Sequence, residues 1–82
     1  MFCMKTLTEK VLKVSVAWMR KHSDDYKLDE DALDTIENNP KFKAFVQKRL
    51  STVQTNSWTA LQNEEDVLSG YIYTLYLQWS GN

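Results

Sequence analysis

Residues 63–82 read NEEDVLSGYIYTLYLQWSGN, an aromatic-rich run that follows three consecutive acidic residues. Acidic side chains are favourable in the first turn of a helix because they interact with the positive end of the helix dipole. Gly81 is typical of a helix end. The sequence therefore predicts a helix that starts within residues 63–66 and ends near Gly81.

The apolar residues of this predicted helix do not fit on one face. The broad face, which is typical of a helix packed on a core, comprises Val67, Leu68, Tyr71, Ile72, Leu75, Tyr76 and Trp79. Tyr73 and Leu77 point the other way. A helix that is apolar nearly all round is either central in its domain or covered by a second chain, and 82 residues provide little material to surround it. We therefore expect a partner to cover Tyr73 and Leu77, unless Trp58, Leu61 or the first predicted helix does so.

Residues 70–80 also fit a period of two, which is the pattern of a strand. One side of that strand would carry Tyr71, Tyr73, Leu75, Leu77 and Trp79. A strand needs a pairing partner, and the rest of the sequence offers no obvious one. The helix is the preferred prediction, and the strand is its alternative.

The composition predicts a single folded domain over residues 1–82, with residues 1–4 as an extension that could be disordered. Hydrophobic residues make up 43% of the chain, which is typical of a folded protein and not of a disordered one. The chain has only two Gly and one Pro, and these residues punctuate the turns of all-β folds. We therefore expect an all-α fold.

The first predicted helix begins at Thr6 and runs to about Lys21. Thr6 and Glu9 have the spacing of a capping box, in which each side chain satisfies a free backbone N–H near the helix start. Residues 23–27 are polar and aperiodic, and they predict a loop.

Two more helices are predicted in the middle of the chain. Asp29 is a suitable N-cap for a short helix over residues 30–37. Pro40 suits the first position of the next helix, which extends to about Val53. The predicted fold is thus a small compact bundle of three long helices and one short helix, with the first and last helices at its centre.

Cysteine usage and hydropathy indicate a cytoplasmic protein. The single Cys3 cannot form an internal disulfide, which is more typical of a reducing compartment than of secretion. The sequence has no signal peptide and no run of about 18 apolar residues that could span a bilayer. We therefore expect no membrane span.

Seven acidic residues cluster between residues 24 and 37: Asp24, Asp25, Asp29, Glu30, Asp31, Asp34 and Glu37. A calcium loop that starts at Asp25 fails, because Glu30 replaces its Gly and Ile36 replaces its Glu. We expect no metal, and we interpret the segment as a solvated helix start or as a docking surface for a basic partner. The candidate contacts in the second case are Asp29, Glu30, Asp31 and Asp34.

The sequence contains no set of residues that predicts catalysis. His22 is the only histidine, and the chain has no nucleophile elbow and no Gly-rich phosphate loop. His22 is interpreted as a residue at a helix end, where it interacts with the negative end of the dipole. We therefore expect a protein that is not an enzyme and has no cofactor.

Basic side chains on the helix predicted over residues 40–53 support an alternative function. Lys41, Lys43, Lys48 and Arg49 could contact phosphates, and the turn before them resembles helix-turn-helix spacing in outline. The net charge of −1 and the acidic segment beside this helix oppose DNA binding. The alternative is thus a DNA-binding transcriptional regulator that uses this helix and forms a homodimer through the last helix.

The preferred expectation is a small non-enzymatic protein-interaction module. It would act as a regulator, inhibitor or adaptor by occluding a surface on a larger protein, as small phage and mobile-element proteins commonly do. Tyr73 and Leu77 would anchor the partner through apolar contacts, and the acidic segment would steer its approach. The partner would be another protein or a second copy of this chain.

Overall fold

The computed structural model describes residues 4–52 and 64–81, and every regular element in these ranges is a helix. The prediction of an all-α fold is confirmed, and the strand alternative for residues 70–80 is wrong. The three long helices and one short helix of the prediction are recognisable, and one further short helix joins them. The helices are α1 (Met4–Lys21), α2 (Ser23–Tyr26), α3 (Glu30–Asn38), α4 (Pro40–Thr52) and α5 (Glu65–Ser80).

The start of α1 differs from the prediction. The helix begins at Met4, so Thr6 lies inside the first turn and does not form the expected cap. The Thr8 hydroxyl donates a hydrogen bond of 2.7 Å to the Met4 carbonyl, and Met4 itself packs against the core. An apolar contact therefore extends the helix beyond the capping signal in the sequence.

The loop predicted for residues 23–27 is a single helical turn, α2. Asp24 and Asp25 lie in its first turn, where their charges are favourable. Lys27 ends the turn in the left-handed region with a φ of 54°, and its backbone N–H donates to the Ser23 carbonyl at 2.9 Å. A non-glycine residue in this region is uncommon, so the sequence gives no signal for this helix end.

The sequence signals that predicted the starts of α3 and α4 are confirmed. The Asp29 carboxylate accepts a hydrogen bond of 2.8 Å from the backbone N–H of Ala32, as an N-cap does. The Asn39 side-chain oxygen accepts from the backbone N–H groups of Lys41 and Phe42 at 2.9 and 3.2 Å. Pro40 lacks an N–H and therefore needs no partner at the first position of α4.

The hydrophobic core lies between α1 and the helices α3, α4 and α5. Helix α1 contacts α2, α3, α4 and α5, and its interface with α5 is the most extensive in the described structure. Helix α3 packs on α1 and α4. The buried apolar residues are Leu7, Val11, Leu12, Val16, Met19, Leu33, Ile36, Phe42, Val46, Leu50, Leu68, Ile72 and Leu75.

Two serines lie where α1 and α5 pack together. Ser15 and Ser69 are fully buried, and the Ser69 hydroxyl is 3.5 Å from the Ser15 carbonyl oxygen. Small side chains at a crossing point allow two helices to approach closely. The Ser15 hydroxyl has no hydrogen-bond partner among the described residues. Its burial therefore removes hydrogen bonds to water without replacing them, which costs free energy.

Substitution Ser15→Ala should stabilise the chain by about 0.5–1 kcal/mol, because it removes an unsatisfied hydroxyl and improves helix propensity. The long bond from Ser69 is retained, since its acceptor is backbone. Substitution Ser15→Leu at the same position should destabilise by about 1–3 kcal/mol by overfilling the crossing. Urea unfolding measures both effects, and a loss of more than about 1 kcal/mol for Ser15→Ala would show that the hydroxyl is bonded.

Candidate functional site

The buried face of α5 is rotated relative to the predicted face. Leu68, Ser69, Ile72 and Leu75 are buried, whereas Val67 is 53% exposed. The prediction that Val67 faces the core is wrong. The physical reason is that α1 approaches α5 at Ser69, which lies about 160° around the helix from Val67.

Leu77 and Tyr73 were both predicted to point away from the core, but they differ in exposure in the structure. Leu77 is 49% exposed, so its side chain is available at the surface. Tyr73 is half-buried and meets Tyr26 of α2 edge-on, with ring centroids 5.3 Å apart and ring planes at 71°. Tyr73 is therefore partly covered from within the chain. Trp58 and Leu61, the other residues considered for this role, lie outside the described residues.

Tyr26 joins the two sets of residues that the sequence analysis treated separately. Its ring touches Tyr73, while Asp24 and Asp25 precede it directly on α2 and are exposed. Leu77 follows Tyr73 by one helical turn on the same side of α5. The apolar residues therefore form one patch, and the exposed Asp24 and Asp25 precede its Tyr26 along α2. We call this the α2–α5 surface, and it comprises Asp24, Asp25, Tyr26, Tyr73 and Leu77.

Sequence reasoning missed Tyr26 because it lies in a polar segment without helical periodicity. The one available signal is the aromatic side chain itself, since an isolated tyrosine among aspartates has an apolar body that needs a contact. Its partner Tyr73 lies 47 positions further along the chain. Local patterns carry no information about such a pairing.

Two of the predicted acidic contacts have roles within the fold. Asp29 caps α3. The Arg20 guanidinium donates from Nε and Nη2 to the Glu30 carboxylate at 3.1–3.3 Å. Hydrogen bonding to Glu30 and then its charge raise the pKa of Arg20 above its usual value. This exposed bridge connects the end of α1 to the start of α3, so it spans the segment that carries α2.

The other two predicted acidic contacts lie on the outer side of α3. Asp34 is exposed and accepts a hydrogen bond of 2.8 Å from the Asn38 side chain. Asp31 is exposed, and its backbone carbonyl accepts from the Thr35 hydroxyl at 2.9 Å. The Asp31 carboxylate forms no ion pair or hydrogen bond within the described part of the chain.

The basic residues of α4 do not form one continuous stripe. Lys41, Lys48 and Arg49 are exposed, whereas Lys43 is half-buried and lies about 160° around the helix from Lys41. The Arg49 guanidinium carbon is 5.0 Å from the centre of the Phe45 ring, a cation–π geometry. An open depression of about 320 Å³ beside it is lined by Phe45, Lys48, Arg49 and Thr52.

The only histidine packs on an aromatic ring, and the described residues form no metal centre. The His22 ring lies 4.2 Å from the Trp18 ring, and neither Asp24 nor Asp25 bonds to it. Residues 4–52 and 64–81 contain no group of three or more His, Cys, Asp or Glu side chains that could hold a metal ion. Within the same ranges, no helix combines the length and apolar character that a membrane crossing requires.

Comparison of the chain with protein-family models, curated proteins and solved structures finds no match. Inference about function therefore depends on the surfaces of the chain itself. Among the surfaces in the described structure, the α2–α5 surface combines exposed apolar area, aromatic rings and charge in one place.

Gly70 lies in the interior of α5, on the same side as Leu77 and two turns before it. A Cβ atom added at Gly70 would have no neighbour within 4 Å. Glycine in a helix interior is destabilising relative to alanine. The described contacts of the fold therefore provide no steric reason for glycine at this position.

Substitution Gly70→Ala should raise the free energy of unfolding by about 0.5–1 kcal/mol through helix propensity alone. Gly81→Ala is the matched control, because its added Cβ would lie 3.0 Å from the Leu77 carbonyl oxygen and no gain is expected. Thermal or urea unfolding of both variants provides the comparison. A loss of stability for Gly70→Ala would show that this side of α5 is closely packed in the isolated chain.

Proposed function

We propose that this chain is a small non-enzymatic protein-interaction module, which acts as a regulator, inhibitor or adaptor by covering a surface on a larger protein. The observation that supports the proposal is the continuity of the α2–α5 surface. Exposed Leu77 lies one turn from the Tyr73–Tyr26 ring pair, and two exposed aspartates precede Tyr26 on α2. An apolar centre with a charged rim is typical of protein interfaces.

The two tyrosines are suited to this role. Tyrosine buries a large apolar ring and carries a polar hydroxyl, and it loses little rotamer freedom when it binds. Within residues 4–52 and 64–81, the hydroxyls of Tyr26 and Tyr73 form no hydrogen bond. A hydrogen bond from either hydroxyl to another protein would therefore replace none within these residues.

The free energy gained by burying Leu77 alone is too small for stable binding. Burying the exposed half of a leucine side chain contributes about 1 kcal/mol. One such contact does not balance the loss of rotational and translational freedom on association. The ring edges of Tyr26 and Tyr73 and the charges of Asp24 and Asp25 must therefore contribute with Leu77.

DNA binding through α4 is the second candidate. The exposed cations Lys41, Lys48 and Arg49 favour it. Lys43 belongs to another side of the helix, and acidic α3 packs directly on α4, so phosphates would meet repulsion nearby. Retention on duplex DNA that falls steeply with salt is the property that distinguishes this function from protein binding.

A photo-crosslinking side chain at position 77 tests the proposed function directly. In extract of the source cells, we expect it to join the chain to one discrete protein, and excess unlabelled wild-type chain should suppress the product. The unlabelled Leu77→Asp variant should need at least about tenfold higher concentration than wild type to suppress the product. This factor corresponds to about 1.4 kcal/mol of lost binding free energy.

The matched control competitor is Val67→Asp, which makes the same change at the other exposed apolar residue of α5. It should compete as well as wild type, because Val67 lies outside the α2–α5 surface. Circular dichroism verifies that both variants remain helical. The proposal fails if Leu77→Asp competes as strongly as wild type. It also fails if crosslinkers at position 77 and at Lys13, an exposed residue of α1, capture the same proteins.

A further inference from the structure

We infer that the segment bound by the α2–α5 surface is a cationic amphipathic helix of the partner protein, an inference that rests on the proposed function. Three features of the surface support it: the sign of its charge, the unpaired state of its carboxylates and its helical backbone.

Charge is distributed unevenly along the chain, and the acidic part borders the apolar patch. Residues 20–37 carry seven carboxylates against three Lys or Arg side chains, whereas the rest of the chain carries four carboxylates against seven. This acidic part contains all of α2 and α3. Next to Tyr26 in the sequence, the exposed carboxylates Asp24 and Asp25 outnumber the one exposed cation Lys27, so the charge beside the Tyr26–Tyr73 pair is negative on balance.

The carboxylates nearest the patch are not neutralised within the described structure. Asp24 and Asp25 are exposed and form no ion pair in residues 4–52 and 64–81, and Asp31 is likewise unpaired. Glu30, by contrast, is bridged to Arg20. Complementary charge on a partner increases the association rate and selects against wrong partners. Lysine or arginine side chains are the groups that meet this requirement, whereas phosphate-rich nucleic acids and anionic lipid surfaces are repelled.

The backbone at the surface favours a helix as the occupant. Peptides that bind in an extended form usually add to a free strand edge, and the described residues contain no strand. Binding must therefore proceed through side chains on the outer side of α5, where Leu77 and Tyr73 are one turn apart. Gly70 leaves room for close approach of a second backbone on this side. A helix with apolar residues at i, i+3 and i+4 and basic residues beside them matches this arrangement.

The experiment titrates the full chain with synthetic 18-residue helical peptides and follows amide and methyl NMR signals. One peptide has leucine on one face and lysine on the other, the second replaces every lysine by glutamate, and the third keeps the lysines but replaces the leucines by serine. We expect the Leu/Lys peptide to shift the signals of Tyr26, Tyr73 and Leu77 and to bind at least tenfold more tightly than either of the others. The double variant Asp24→Asn/Asp25→Asn should bind it several-fold more weakly and with a smaller dependence on salt.

The double variant Glu64→Gln/Glu65→Gln is the control, since it removes two exposed carboxylates from the other end of α5. It should bind the Leu/Lys peptide as wild type does. Equal loss in both double variants would overturn the inference by showing an effect of net charge alone. Equal binding of the Leu/Lys and Leu/Glu peptides, or shifts confined to α4, would overturn it as well.

The failure of the inference is distinguishable from failure of the proposed function. If crosslinking from position 77 identifies a partner but the charge of the peptide makes no difference, the interaction function stands and the cationic occupant is wrong. If light scattering shows concentration-dependent dimers that Leu77→Asp disrupts, the occupant is a second copy of this chain, which also overturns the inference.

Discussion

The packing of α5 against α1 is the interaction on which the rest of the structure depends. Helix α1 contacts every other described helix, and its largest interface is with α5. Ser15 and Ser69 are buried in this interface, where their small size permits a close approach. That approach sets the rotation of α5 about its own axis. The rotation in turn buries Ile72 and Leu75, half-covers Tyr73 and leaves Leu77 in solvent.

Local chemistry explains which parts of the fold could be predicted. The Asp29 cap and the start of α4 at Pro40 depend on residues within a few positions, so a short window contains the necessary information. The rotation of α5 is different, because a helical wheel weights hydrophobicity while packing also depends on size. For that reason the small polar Ser69 is buried and the apolar Val67 is exposed, although hydrophobicity alone predicts the opposite.

The candidate surface could be predicted only in part. Exposure of Leu77 followed from the excess of apolar residues around α5, and the acidic character of residues 24–37 was evident from composition. The contact between Tyr26 and Tyr73 depends on the path of the chain between α1 and α3. That path includes a left-handed Lys27, which no sequence pattern indicates. Three of the four predicted acidic contacts also have partners inside the molecule, and the carboxylates next to Tyr26 are Asp24 and Asp25, which were not among those four.

The most direct measurement of this account compares the methyl groups of Leu75 and Leu77 in one NMR sample that contains a neutral paramagnetic chelate. The two residues are of the same type, two positions apart on α5, and they differ in exposure from 3% to 49%. We expect the Leu77 methyls of the dilute, isolated chain to relax several-fold faster than those of Leu75, because the chelate can approach only an exposed side chain. Equal protection of the two residues would contradict it, because the outer side of α5 would then be covered before any partner arrives.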